Sequence, residues 1–188
     1  MRTLASFIMV TVDGFYEGPD QEFDWPIVDD DFTAFSIEQL EATSTLVFGR
    51  VTYTGMAEYW TSAEGIADNP VEAPFLNDTP KIVVSSTLTD ADATWGPTEI
   101  IPGDGLVAGI AAAKARDDGP MLILASPKLT IGLAEAGLLD ELRLMVAPVA
   151  LLAGKPVFGA ATGRLAMDLL DVRRFASGNV LLTYRPRR

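Results

Sequence analysis

The sequence predicts an α/β fold: a mixed, mainly parallel central sheet, flanked by helices in three layers and ending in an antiparallel hairpin. Three observations carry that prediction. Short apolar or β-branched runs such as Leu46-Val47-Phe48, Ile82-Val83-Val84 and Met121-Leu122-Ile123-Leu124 alternate with segments whose apolar residues recur at helical spacing. Strand–helix–strand alternation of this kind builds parallel sheets. Residues 165–175 and 179–185 then alternate around Ser177-Gly178, a hairpin signal.

The elements follow in order. Residues 4–12 read as a strand that stops at the turn signal Asp13-Gly14. A polar loop punctuated by aromatics runs through Trp25-Pro26. Phe32, Phe35, Gln39, Leu40 and Thr43 lie at helical spacing behind Asp29-Asp30-Asp31, acids that suit a helix start. Thr45 to Phe48 is a short buried strand, and Tyr53, Met56, Ala57 and Trp60 form the next helical face. Residues 61–79 show no clean period and read as a long loop, either a linker or, more in keeping with a compact domain, a lid or a dimer contact. Strands are expected at Lys81–Val84 and Thr98–Ile101. Asp104 is placed to cap a helix with the face Leu106, Val107, Ile110 and Ala113, closed by Gly119-Pro120. The apolar strand Met121–Leu124 runs into Ser126-Pro127, a cap followed by a proline at the first helical position, and that helix ends at Gly137. Leu142 to Val146 is the last strand before the hairpin.

A length of 188 residues suits one domain over 1–188, and 48% hydrophobic with 21% charged residues is the balance of a globular chain with a sizeable core. The net charge of −12 argues against nucleic acid and anionic membrane as partners. It does not forbid an anionic cofactor, which needs only one or two local cations and a few backbone N–H groups. The basic group Arg185, Arg187 and Arg188 reads as a solvated tail. Histidine and cysteine are both absent, which excludes disulfides, cysteine nucleophiles, the usual base of triad hydrolases and the common zinc sites. No metal is expected. The apolar start of the chain passes directly into Asp13-Gly14 without a small-residue cleavage site, so it reads as a strand rather than a signal peptide. No apolar run approaches the roughly 20 residues of a membrane helix, and a cytoplasmic location is expected.

Three strand ends carry candidate chemistry. Gly49-Arg50 is either a tight turn or a place where backbone approaches an anion beside a guanidinium fork. Ser85-Ser86-Thr87 are either turn residues bonding their own backbone or ligand hydroxyls. Ser126 is first of all a helix cap.

Together these segments resemble a known family. Thr11-Val12-Asp13-Gly14, then Phe23-Asp24-Trp25, Val47-Phe48-Gly49-Arg50-Val51-Thr52-Tyr53 and Lys81 to Leu88 are similar to the RibD C-terminal-domain family. So are Gly132 to Leu144, Pro148-Val149 and Gly154-Lys155-Pro156-Val157-Phe158. The resemblance implies a dihydrofolate-reductase-like fold and an NADPH-dependent reductase of a small heterocycle, pteridine- or pyrimidine-like. It implies that Gly49, Arg50 and Thr52 meet cofactor phosphates, that Ser85 and Ser86 lie near the adenosine ribose and its 2′-phosphate, and that Ala125 and Ser126 line the pyrophosphate turn. The chain departs from the family in carrying Ala125 where glycine is usual, and Pro127 removes one N–H donor.

For the substrate, the same resemblance points to Asp31 and Asp13 as candidate catalytic carboxylates and to Trp25, Phe35 and Tyr53 as candidate binding residues. Against that stand plainer roles: helix-start acids facing water, a turn aspartate, and core aromatics. A flavin or another nucleotide in the same cleft, a non-catalytic binder of the same fold, and a structural dimer formed through Leu142–Val149 and the hairpin are the alternatives. A homodimer is expected from family habit and the apolar run Leu142–Leu152.

Overall fold

The computed structural model describes residues 1–187, so Arg188 of the terminal basic group lies outside the described residues. In chain order the elements are β1 (Leu4–Thr11), β2 (Phe15–Glu17), α1 (Asp30–Glu41), β3 (Thr45–Gly49), α2 (Arg50–Trp60), α3 (Ala63–Asp68) and α4 (Glu72–Asp78). There follow β4 (Lys81–Val84), β5 (Thr98–Ile101), α5 (Leu106–Ala115), β6 (Met121–Leu124), α6 (Pro127–Glu135), β7 (Glu141–Ala147), β8 (Lys155–Pro156), β9 (Met167–Arg174) and β10 (Val180–Pro186). Single 3₁₀ turns precede β5 (Asp90–Asp92) and α5 (Gly103–Gly105). The chain forms two compact units.

The first unit holds residues 1–4 and 35–126. Its strands lie in the order β5-β4-β3-β6, all parallel, with Val47 beside both Ile82 and Ile123. Leu46, Val47, Phe48, Val83 and Ile123 are fully buried, as continuous apolar strands between helices should be. Beneath them Phe48, Tyr53 and Trp95 pack ring against ring at 5.4–6.3 Å. The polar ends of these rings are satisfied: Trp95 N–H donates to the Tyr53 hydroxyl at 3.0 Å, and Trp95 Nε1 donates to Asn77 Oδ1 at 2.7 Å.

The segment 61–79 is not a loop. It holds α3, whose cap Ser62 accepts from Gly65 N–H at 2.9 Å, and α4, with Pro74 in its first turn. Proline at that end of a helix sacrifices no intrahelical bond, so its presence there did not signal a break. Both helices are too short to show a period in the sequence. Asp104 is also not a cap: it sits in the 3₁₀ turn, Gly105 holds the cap position, and Val107 is exposed rather than part of the buried face.

The second unit holds residues 5–34 and 127–188, described to 187. Its main strands lie in the order β1-β7-β10-β9; β1 and β7 are parallel, and β10 is antiparallel to both neighbours. Ser6 and Thr130 hydroxyls, both fully buried, satisfy one another at 2.7 Å, and Phe7 packs on Phe32. A small second sheet joins β2 to β8, which the sequence did not signal because each strand has at most three residues. In β7, which has partners on both edges, Leu142, Leu144, Met145 and Ala147 are core, while Val146 is half-buried. The alternation expected in 165–175 does not give β9 a buried face: Leu169, Leu170 and Val172 are 41–55% exposed.

Candidate functional site

In the first unit the carboxyl ends of parallel strands collect the phosphate candidates. Gly49 ends β3 in an extended conformation, and Arg50 opens α2 with its side chain in solvent. No side chain among the described residues caps α2 at Gly49, which leaves its first-turn N–H groups without an intrahelical partner. A side-chain Cβ at Gly49 would approach nothing nearer than Ser126 Oγ at 3.8 Å. The fold itself therefore does not require glycine there, and the space it keeps open lies beside a helix N-terminus and a guanidinium. Thr52, one turn further, is half-buried.

The two serines after β4 divide. Ser85 is buried and its hydroxyl accepts from Thr87 N–H at 3.1 Å and Leu88 N–H at 2.9 Å, the turn role. Ser86 is exposed, and its hydroxyl has no partner among the described residues. Across the sheet, β6 ends in two successive left-handed residues, Ala125 (φ 50°) and Ser126 (φ 55°). Ser126 does not make the usual cap: its Oγ accepts instead from Gly49 N–H at 3.0 Å, tying the ends of β3 and β6 together. Ala125 is exposed at that turn.

The substrate candidates in this unit are core residues. Tyr53 is 2% exposed with its hydroxyl engaged by Trp95 and by Thr98 at 3.3 Å, and Phe35 is buried. Both pack in the core of this unit. At the amino ends of the same strands lies a cleft of about 680 Å³, lined in part by Arg2, Lys81, Glu99, Arg116 and Asp118. Its charges face one another, Arg116 to Glu99 at 2.6 Å and Arg2 to Asp118 at 3.7 Å.

In the second unit, Asp13 is a tie. Its carboxylate accepts from the Thr11 hydroxyl and from Leu151 and Leu152 N–H at 3.3 and 2.8 Å. The Thr11 hydroxyl, then those N–H groups, hold its carboxyl below the usual carboxylate range, so it stays ionised and accepts rather than donates. Asp31 is exposed; it accepts a long bond from Ala176 N–H at 3.4 Å. Trp25 is buried against Phe23, and its Nε1 has no partner among the described residues. A hollow of about 380 Å³ opens at the start of α6, lined by Tyr16, Lys128, Lys155 and Val157 among others. Lys155 pairs with Glu17, while burial and the charge of Glu17 push the Tyr16 phenol up. Tyr16 and Lys128 were not singled out from the sequence; only the pocket brings them together. Among the described residues no cluster of three carboxylates could hold a metal, and no helix is long and apolar enough to cross a membrane.

Residues 2–181 match the model of the RibD C-terminal domain, nearly the whole chain. The chain belongs to the RibD C-terminal domain family. An uncharacterized protein of Bacillus subtilis, YyaP, is 28% identical over 185 residues, spanning 97% of this chain and 94% of its own. Among solved structures, the Thermotoga maritima diaminohydroxyphosphoribosylaminopyrimidine deaminase/5-amino-6-(5-phosphoribosylamino)uracil reductase superposes with a TM-score of 0.72 at 14% identity. The match covers 99% of this chain and 57% of that one. Dihydrofolate reductase from Enterococcus faecalis, complexed with NADP(H), superposes with a TM-score of 0.58 at 17% identity over 99% of this chain and 97% of its own. This RibD C-terminal domain thus has the dihydrofolate-reductase-like α/β fold that its sequence predicts.

Proposed function

We propose that this RibD C-terminal domain is an NADPH-dependent reductase of a small pyrimidine- or pteridine-like heterocycle. One observation carries the proposal: an open Gly49 beside the uncapped α2 N-terminus, with Arg50 in solvent and the free Ser86 hydroxyl on the neighbouring strand end. These groups fit a phosphate-bearing ligand, since backbone N–H groups and a helix terminus attract the anion and arginine adds a forked cation. The family membership and the reductases among the structural relatives support the same reading.

The bound nicotinamide would supply the hydride; the protein's share is to hold and orient both partners. Gly49, Arg50 and Thr52 bind phosphate, Ser86 meets the adenosine ribose, and Ala125 and Ser126 shape the pyrophosphate turn. Neither Asp13, which is held ionised, nor Asp31, which is exposed, is arranged as a proton donor; burial and the charge of Glu17 push the Tyr16 phenol above its ordinary value. That neither of these two carboxylates is arranged to donate favours a second reading, a nucleotide binder of this fold without turnover.

Thermal shift with NADPH, NADH, FMN and folates tests the proposal. NADPH should raise the melting temperature, and Arg50→Ala should remove most of that shift while leaving the unliganded protein unchanged, because the Arg50 side chain is in solvent. No shift with any of these compounds would overturn the reductase reading. A shift without substrate-dependent oxidation of NADPH across pyrimidines and pteridines would favour the binder. We also propose a homodimer, with the exposed apolar strand β9 of the hairpin as its contact.

A further inference from the structure

Asp104 has no structural task. Gly105 takes the cap position it was expected to fill, α5 begins without a side-chain cap, and the Asp104 carboxylate is exposed with no partner among the described residues. Its position is nonetheless fixed. Strands β4 and β5 are in register with Val84 beside Ile101, so Ser86 and the turn Gly103–Gly105 emerge from the same carboxyl end two to four residues later. Gly103 packs so closely on Ser86 that a Cβ there would overlap Ser86 Oγ and lie 3.6 Å from its backbone nitrogen. The turn therefore lies directly against Ser86, and the next residue carries a carboxylate.

From this placement we infer that Asp104 sets the nucleotide preference of the site by opposing a phosphate on the adenosine ribose. The inference rests on the reductase reading, in which Ser86 meets that ribose. A ribose 2′-phosphate brings up to two negative charges beside the carboxylate, whereas an unmodified ribose brings two hydroxyls that a carboxylate can accept. Arg50, on the strand end two places away, pulls the other way. The two side chains oppose each other, so the protein accepts NADH alongside NADPH with less than the strong discrimination an arginine alone would confer. The overall charge of −12 acts in the same direction as Asp104.

Calorimetric titration of the full chain and of Asp104→Asn with NADPH and with NADH, at low and high salt, tests this. The substitution should raise the preference for NADPH over NADH about tenfold, mostly by tightening NADPH, and the gain should shrink as salt screens the charge. Because Asp104 is exposed and unpartnered, the variant should melt with the parent protein. Binding of both nucleotides with an unchanged ratio would overturn the role of Asp104 alone. Binding of neither by the parent protein would overturn the reductase reading and this inference together.

Discussion

Ala125 and Ser126 occupy the left-handed region in succession, where a Cβ crowds the following carbonyl at a cost of about 1–2 kcal/mol per residue. Ser126 offsets part of that cost with its bond to Gly49 N–H; exposed Ala125 has no such compensation. Ala125→Gly should therefore stabilise the protein by about 0.5–1 kcal/mol, the relief of strain less the extra entropy of a glycine in the unfolded chain. Urea denaturation would show it, and a destabilised variant would mean the turn is not strained. In the reductase reading the same change also removes a methyl from the pyrophosphate turn and should tighten NADPH. Strain of this kind gathers at ligand sites. The departure from glycine was legible in the sequence; that Ser126 turns away from its own helix was not, because its partner is 77 positions distant in the chain.

At the scale of elements, Lys81 joins α4 to the β4–β5 layer. It opens β4, is 1% exposed, donates to the carbonyls of Thr79 at 2.8 Å and Asn77 at 3.1 Å, and lies over the Trp95 ring at 4.5 Å. Those carbonyls are the orphan acceptors that close a helix, which is how a short helix such as α4 is held without much length of its own. Burial pushes the Lys81 ammonium down to about 8, with Asp78 pulling it up. Between pH 8 and 10.5 the unfolded lysine holds a proton that the folded one has released, so stability contributed at this site rises with pH across that window. The gain is bounded at about 3 kcal/mol. Comparing urea midpoints of the parent and Lys81→Met from pH 7.5 to 10.5 isolates it. The parent should gain on the variant as pH rises, and parallel curves would show that Lys81 titrates normally.

For the whole molecule, the exposed side chains of β9 give the second unit an apolar strand surface. Leu169, Leu170 and Val172 lie on the last strand of the order β1-β7-β10-β9, which among the described residues pairs with a strand on one side, β10. Such an edge invites a second strand. A second copy of the chain is the proposed occupant. Light scattering coupled to size exclusion should give about twice the chain mass of 20.1 kDa, and Leu170→Lys with Val172→Lys should return it to one chain. A parent protein that runs as a single chain would remove the dimer from consideration.

The sequence by itself determined the strand–helix alternation, the buried parallel strands and the terminal hairpin, because apolar periodicity is a local property that each segment carries in its own residues. It also determined the family, through stretches such as Gly49-Arg50-x-Thr52 and Gly137-Leu138-Leu139-Asp140-Glu141-Leu142 that are read without folding the chain. Short elements escaped it: α3, α4, β2 and β8 span at most seven residues and are held by caps and neighbours more than by a period. Which chemistry each candidate has left to offer was decided only by tertiary structure. Asp13, Ser85, Ser126 and Tyr53 spend their polar groups inside the fold, whereas Arg50, Ser86 and Asp104 keep theirs for solvent or ligand. A side chain's type announces what it can bond, but its free valence depends on partners that only folding brings within reach.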